Sequence, residues 1–125
     1  MDDQGRCIAL SNEQKKNNRG AVAVILANDK ITLEQNSMAC QLVLKGSSSV
    51  GWSFYDEVNG GYLYAASSSG NYLKTQSTLD DDGRADIRFE ANIATITFKG
   101  TNKRNVMQYN PNNGSPLFAC YGSES

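Results

Sequence analysis

The stretch 59-NGGYLYAASSSGNYLKTQ-76 decides how this chain is read. In its first half Leu63 and Ala65 alternate with Tyr62 and Tyr64; after the Ser-Gly loop, Leu73 and Thr75 alternate with Tyr72, Lys74 and Gln76. A period of two places successive side chains on opposite faces of a strand, so two such runs joined by a Ser/Gly segment predict a β-hairpin. One face of that hairpin carries the aliphatic residues and the other carries Tyr62, Tyr64 and Tyr72.

The same pattern extends through the rest of the chain. Short runs rich in β-branched and aromatic residues, bounded by Gly, Asn, Asp or Ser, are expected as strands at 6–11, 21–26, 30–35, 40–45, 51–58, 61–67, 72–77, 85–90, 94–100, 104–110 and 117–122. The polar link Ala27-Asn28-Asp29-Lys30 between two β-prone runs predicts a second hairpin. The one helix-permissive stretch, Asn12 to Asn18, has no apolar face and reads as a solvated loop.

Internal repetition organises these strands. If 51–90 is a four-strand unit, the segment from Ala94 to Gly122 matches its first three strands at offsets of 42, 43 and 44 residues (Trp52 to Ala94, Leu63 to Val106, Leu73 to Leu117). Toward the N-terminus, Gly5 aligns with Gly60 and Leu42 with Ile87 at offsets of 55 and 45, the excess lying in the 12–20 loop and the additional strand at 30–35. The expectation is one all-β domain over 1–125, a β-trefoil-like barrel of three repeats at about 5–46, 51–90 and 93–125. The first strand of the first repeat and the last strand of the third are missing from this pattern. They would be neighbours in a closed barrel, so an open edge suited to homodimerisation is expected there.

Composition narrows the chemistry. The 125 residues contain no histidine, which removes the commonest general base and zinc ligand, and the net charge of −1 with a pI near 5.3 argues against a phosphate-binding face. Cys7, Cys40 and Cys120 have no metal-binding spacing, and an odd count cannot close a disulfide framework; buried free thiols are the expectation. The longest apolar run, Ala21 to Ala27, is seven residues, far short of a membrane helix, and the opening MDDQGRC lacks the basic and apolar regions of a secretion signal.

The string at 60–76, followed by 94-ATITFKGTNKRNVMQYNPNNGSPLFACYGS-123, resembles the β-rich noncatalytic modules appended to secreted and surface proteins of gut anaerobic bacteria. The matching positions are Gly5–Ser11, Gly51-Trp52, Gly60–Leu63, Ala85–Ile87, Ala94–Ile96, Arg104–Asn110 and Leu117–Tyr121. Cys40-Gln41-Leu42 and Ala85-Asp86-Ile87 stand where that family has W-x-I, and its closing L-Y-K strand is absent. The resemblance implies an extracellular or cell-surface location and a binding or appendage role, without implying a ligand.

No residue set supports catalysis, and neither a cofactor nor a metal is expected. Asp80-Asp81-Asp82-Gly83 lacks the ligand spacing of an EF-hand and reads as a solvated turn. Asp56 and Glu57 are adjacent on a strand and so point to opposite faces. The binding candidates are Tyr62, Tyr64 and Tyr72 on one hairpin face, with Asn59 and Asn71 at its ends; exposed rings stack on sugar faces while amides bond hydroxyls. Arg104 and Asn105 form a second candidate, able to hold a carboxylate, against a structural reading in which Arg104 pairs with an acidic residue and Asn105 ties down the turn after Gly100. Asn113-Gly114-Ser115 is formally a glycosylation sequon, followed by Pro116, and carries no weight. The leading expectation is a noncatalytic module binding a glycan or another surface ligand. The alternative is a structural or protein-interaction domain of a larger secreted protein.

Overall fold

The computed structural model describes residues 6–33, 35–111 and 116–122. Gly5, where the first repeat is expected to begin, and the sequon at Asn113 lie outside them. Among the described residues there is no helix, and eleven strands follow one another: β1 (Arg6–Gln14), β2 (Arg19–Ala27), β3 (Lys30–Thr32), β4 (Leu42–Ser47), β5 (Gly51–Asp56), β6 (Gly61–Ala65), β7 (Leu73–Gln76), β8 (Ala85–Glu90), β9 (Ile93–Phe98), β10 (Val106–Asn110) and β11 (Leu117–Tyr121). Each expected strand is present, most with trimmed ends.

Every pairing is antiparallel, in the order β1-β2-β11-β10-β9-β8-β5-β6-β7, with β3 added to β2 and β4 to β5. The path curls until its two ends meet: Leu73 N, at the start of β7, donates to Asn17 O in the β1–β2 turn at 2.8 Å. Gln14 Nε2 returns a bond to Leu73 O at 3.1 Å. The result is a nearly closed antiparallel barrel-like sheet, which leaves few long unpaired edges.

Turn chemistry fixes the hairpins. Asn28 and Asp29 both adopt positive φ, 53° and 61°, the two-residue geometry whose twist matches the flanking strands, so the expected hairpin at 27–30 is present. Ala91 and Asn92, at 51° and 66°, make the same kind of turn between β8 and β9, although no glycine marks it. Gly46, at φ 116°, turns β4 toward β5 so closely that a Cβ there would strike Gly51 O.

The loop expected at 12–18 is reduced to its middle. β1 runs on to Gln14 and β2 begins at Arg19, because polar side chains in this stretch bond across the sheet and so support extended backbone. The core is Phe54, Leu63, Ala65, Leu73, Ala85, Phe98 and Cys120, with Leu10, Leu42, Ile87, Ile96, Met107 and Phe118 packed around it. Leu63 and Ala65 are buried together, as the alternation requires, while Tyr62 and Tyr64 are half-buried on the other face. The cysteines are free thiols: Cys120 is buried, and Cys7 and Cys40 are half-buried. Burial pushes the Cys120 thiol up to about 12, so it stays protonated and behaves as a small hydrophobe.

Candidate functional site

Register across four strands assembles one row on the outer face. Val43 lies opposite Tyr55, Tyr55 opposite Tyr62, and Tyr62 opposite Gln76. Since Phe54 and Asp56 are buried on the inner side of β5, Tyr55 between them points outward, and Glu57 follows two residues on. The Tyr55 and Tyr62 rings meet edge to face, with centroids 5.1 Å apart and planes at 67°. With Val43, Lys45 and Glu57 they line a groove of about 360 Å³. Both rings are half-buried, which holds them in place while part of each surface remains accessible; Lys45 and Glu57 are exposed. An aromatic floor with an ammonium and a carboxylate at its margin can stack on an apolar ligand face and bond its polar edge.

Tyr64 lies on the same side of β6 as Tyr62, opposite Lys74. Tyr72 precedes β7 and is half-buried, its ring against Gly70. The remaining sequence candidates lie elsewhere. Asn59 sits in the turn after β5, where its Nδ2 donates to Asp56 Oδ2 at 2.6 Å and to Asn12 O at 2.8 Å. Asn71 and Arg104 meet each other, Arg104 Nη1 donating to Asn71 Oδ1 at 3.2 Å, so the guanidinium bonds an amide where a carboxylate was the expected partner. Asn105 Nδ2 donates to Phe98 O at 3.1 Å and its own carbonyl accepts from Phe98 N at 2.9 Å, closing the loop between β9 and β10.

Tyr55, Val43, Lys45 and Glu57 are not among the sequence candidates for this site. Tyr55 and Glu57 do show the necessary alternation, but β5 is placed beside β6 by pairing, which strand periodicity does not specify. The three aspartates form a turn: Asp80 Oδ1 accepts from Asp82 N at 3.1 Å and from Gln76 Nε2 at 2.8 Å, and Asp81 pairs with Arg84 at 3.1 Å. No group of three or more cysteine, aspartate or glutamate side chains among the described residues is arranged to hold a metal.

A second polar cluster lies inside the sheet. Arg19 Nη2 and Asp56 Oδ2 form an ion pair at 2.8 Å, with both side chains wholly buried. The same nitrogen reaches Ser11 O at 2.8 Å and Cys40 Sγ at 3.6 Å, and Nη1 reaches Thr75 Oγ1 at 3.4 Å. Asp56 Oδ1 also accepts from the backbone of Val58 at 2.9 Å and Asn59 at 3.2 Å. One guanidinium thereby joins β1, β2, the Cys40 segment, β5 and β7.

This cluster makes stability depend on pH. Burial pushes the Asp56 carboxyl upward, but hydrogen bonds from Asn59 and the Arg19 charge outweigh it and hold the group below its ordinary 3.8. Because the folded form releases this proton more readily than the unfolded chain, the contribution is complete above pH 3.8 and is lost as pH falls through the lowered folded value. Melting temperature measured against pH should therefore fall below about pH 4. The Asp82 carboxyl is displaced the opposite way, raised by burial and by Asp80 and Asp81. An Asp82→Asn background isolates the Asp56 contribution, and Asp56→Asn in that background should flatten the acid limb.

No protein-family model, no curated protein and no solved structure matches this chain.

Proposed function

We propose that this chain is a noncatalytic module of an extracellular or cell-surface protein, and that it binds a glycan in the groove floored by Tyr55 and Tyr62. The observation that carries this reading is the Val43-Tyr55-Tyr62-Gln76 row, in which two fixed rings lie on an accessible face with Lys45 and Glu57 at the margin of the groove. A pyranose presents an apolar CH face to such a floor and hydroxyls to Lys45, Glu57 and Gln76. Against catalysis stand the lack of histidine and the burial of Asp56 in an ion pair with Arg19, which leaves Glu57 as the one carboxylate lining the groove. The extracellular placement rests on the resemblance to appended modules of secreted proteins.

The finer architecture we propose is trefoil-like. In its favour, β5 lies beside β8, β4 beside β5 and β9 beside β8, with β6–β7 and β10–β11 as hairpins. The repeat must absorb a slip: spacing would put Val106 opposite Ala119, yet it faces Tyr121. A slip of two residues preserves which face each side chain occupies.

The test is a broad glycan array followed by calorimetric titration of the best hit. Tyr62→Ala and Tyr55→Ala should each weaken binding by about 30-fold, the effect of losing an aromatic anchor worth roughly 2 kcal/mol. Asn71→Ala, in the loop between β6 and β7 where it accepts from Arg104 and does not line the groove, should leave affinity within about twofold. Binding insensitive to both tyrosines would move the site elsewhere. Silence across the array would favour the second reading, a protein-interaction domain, for which the specific support is Phe89 and Ile93, 75% and 66% exposed on one hairpin.

A further inference from the structure

Three loops meet where the two ends of the sheet come together: the β1–β2 turn (15–18), the β6–β7 loop (66–72) and residues 100–105 between β9 and β10. Hydrogen bonds tie each to the next. Asn17 O accepts from Leu73 N at 2.8 Å, and Asn18, with its amide turned to suit its neighbours, donates to Asn71 O at 2.6 Å. Asn71 Oδ1 accepts in turn from Arg104 Nη1 at 3.2 Å. Ser68 Oγ bonds Asn102 Oδ1 at 3.2 Å and accepts from Lys103 N at 3.0 Å, while Asn102 Nδ2 donates to Ala65 O at 2.8 Å. The three loops are thereby held as one surface.

That surface is basic, although the chain as a whole is not. The three segments carry Lys15, Lys16, Lys103 and Arg104, four of the chain's 12 cations, and none of its 13 acidic residues. Among the described residues none of the four has an ion-pair partner, and Arg104, bonded to an amide, keeps its charge uncompensated. Lys16 and Lys103 are exposed; Lys15 and Arg104 are half-buried. Like charges gathered in this way repel one another and attract an anion. The patch has borders: Glu13 lies two residues before Lys15, Asp82 lies against Gly100, and Lys99 is engaged by Asp86 at 4.0 Å.

The groups between the cations decide which anion fits. Asn17, Asn18, Asn102 and Ser68 offer amides and a hydroxyl, which bond sugar hydroxyls. Tyr72 is the one ring on these segments, half-buried with Gly70 against it, whereas a nucleic-acid strand is held on a series of exposed rings. A long polyanion would also overrun the patch onto an acidic remainder.

We infer that these loops bind an acidic oligosaccharide, its sulfate or carboxylate groups paired with Lys15, Lys16, Lys103 and Arg104 and its hydroxyls with the intervening amides. Ammonium and guanidinium groups form charge-assisted bonds with both kinds of anion. The site is separate from the Tyr55–Tyr62 groove, none of whose lining residues lies on these loops, and does not depend on it.

Calorimetric titration of the full chain tests this with a heparin-derived hexasaccharide and with its desulfated form, which keeps the carboxylates. Wild type should bind both, the sulfated form more tightly. For that form, log K should fall against log salt concentration with a slope of about −3, as expected for four neutralised anionic groups. Lys16→Gln and Lys103→Gln, exposed residues on different loops, should each weaken binding about fivefold and reduce the slope by about one. Lys30→Gln removes the same charge from the β2–β3 hairpin and should change neither. Tyr62→Ala should leave affinity for the hexasaccharide within about twofold, so that failure of the groove and failure of this patch are separable. The proposal is overturned if neither acidic saccharide binds, if Lys30→Gln weakens binding as much as Lys16→Gln, or if the lysine of only one loop matters. Tighter binding of a single-stranded DNA hexamer than of the sulfated hexasaccharide would overturn it as well.

Discussion

Arg19→Met should destabilise the protein by about 3–5 kcal/mol, because it strands the Asp56 carboxylate in a site that water does not reach. That is a large share of the roughly 5–15 kcal/mol that holds a domain of this kind together, and it should lower the melting temperature by roughly 10–25 °C. The magnitude follows from burial. Both side chains are 0% exposed, so neither charge can be screened by solvent once its partner is gone, in contrast to the exposed Arg84–Asp81 pair. Calorimetric unfolding of Arg19→Met, Asp56→Asn and the double variant separates the pair from its surroundings. The double variant should lose less than the sum of the two, because no uncompensated charge remains. A single Arg19→Met variant within about 1 kcal/mol of wild type would show that the ion pair does not hold the strands together.

Arg19 also marks where the sequence stops being informative. Strands announce themselves locally: the alternation in Gly61–Ala65 and Ala85–Glu90, and the polar turn at Asn28-Asp29, all record a constraint between near neighbours, and all are present in the structure. The partners of Arg19 lie 8, 21, 37 and 56 residues away, and nothing around Arg19 distinguishes it from a surface arginine next to an asparagine-rich stretch. The same limit applies to the groove. Tyr62 and Tyr64 are readable as one face of a hairpin, but Tyr55, Val43 and Lys45 join them only through the pairing of β4, β5 and β6. Asn59 and Asn105 illustrate a further ambiguity: an amide suited to a sugar hydroxyl is equally suited to a turn, and here both serve turns. The Ala91-Asn92 turn is hidden for another reason. Its positive φ angles fall on residues other than glycine, so the usual turn signal is missing.

Phe98→Ala is the second substitution with a large expected effect, about 3–5 kcal/mol, and a companion on the same hairpin gives it meaning. Phe98 is 1% exposed, lies opposite Ala85, and meets the Phe54 ring edge-on at 6.3 Å and 73°. Removing it leaves a cavity where β5, β8 and β9 converge, bounded by strands that cannot collapse without breaking their ladders. Phe89 occupies the same inner face of the ribbon, yet is 75% exposed, because β8 has parted from β5 by that point. Truncating it removes few contacts, and Phe89→Ala should cost no more than about 0.5 kcal/mol. Two phenylalanines of identical chemistry, on one face of one hairpin, should thus differ nearly tenfold in energetic weight. Both variants should be compared with wild type by urea unfolding at one protein concentration. Equal losses would mean that the ribbon packs against the body of the protein along its whole length. Unequal losses of the expected size would place the end of the core between Phe98 and the hairpin tip.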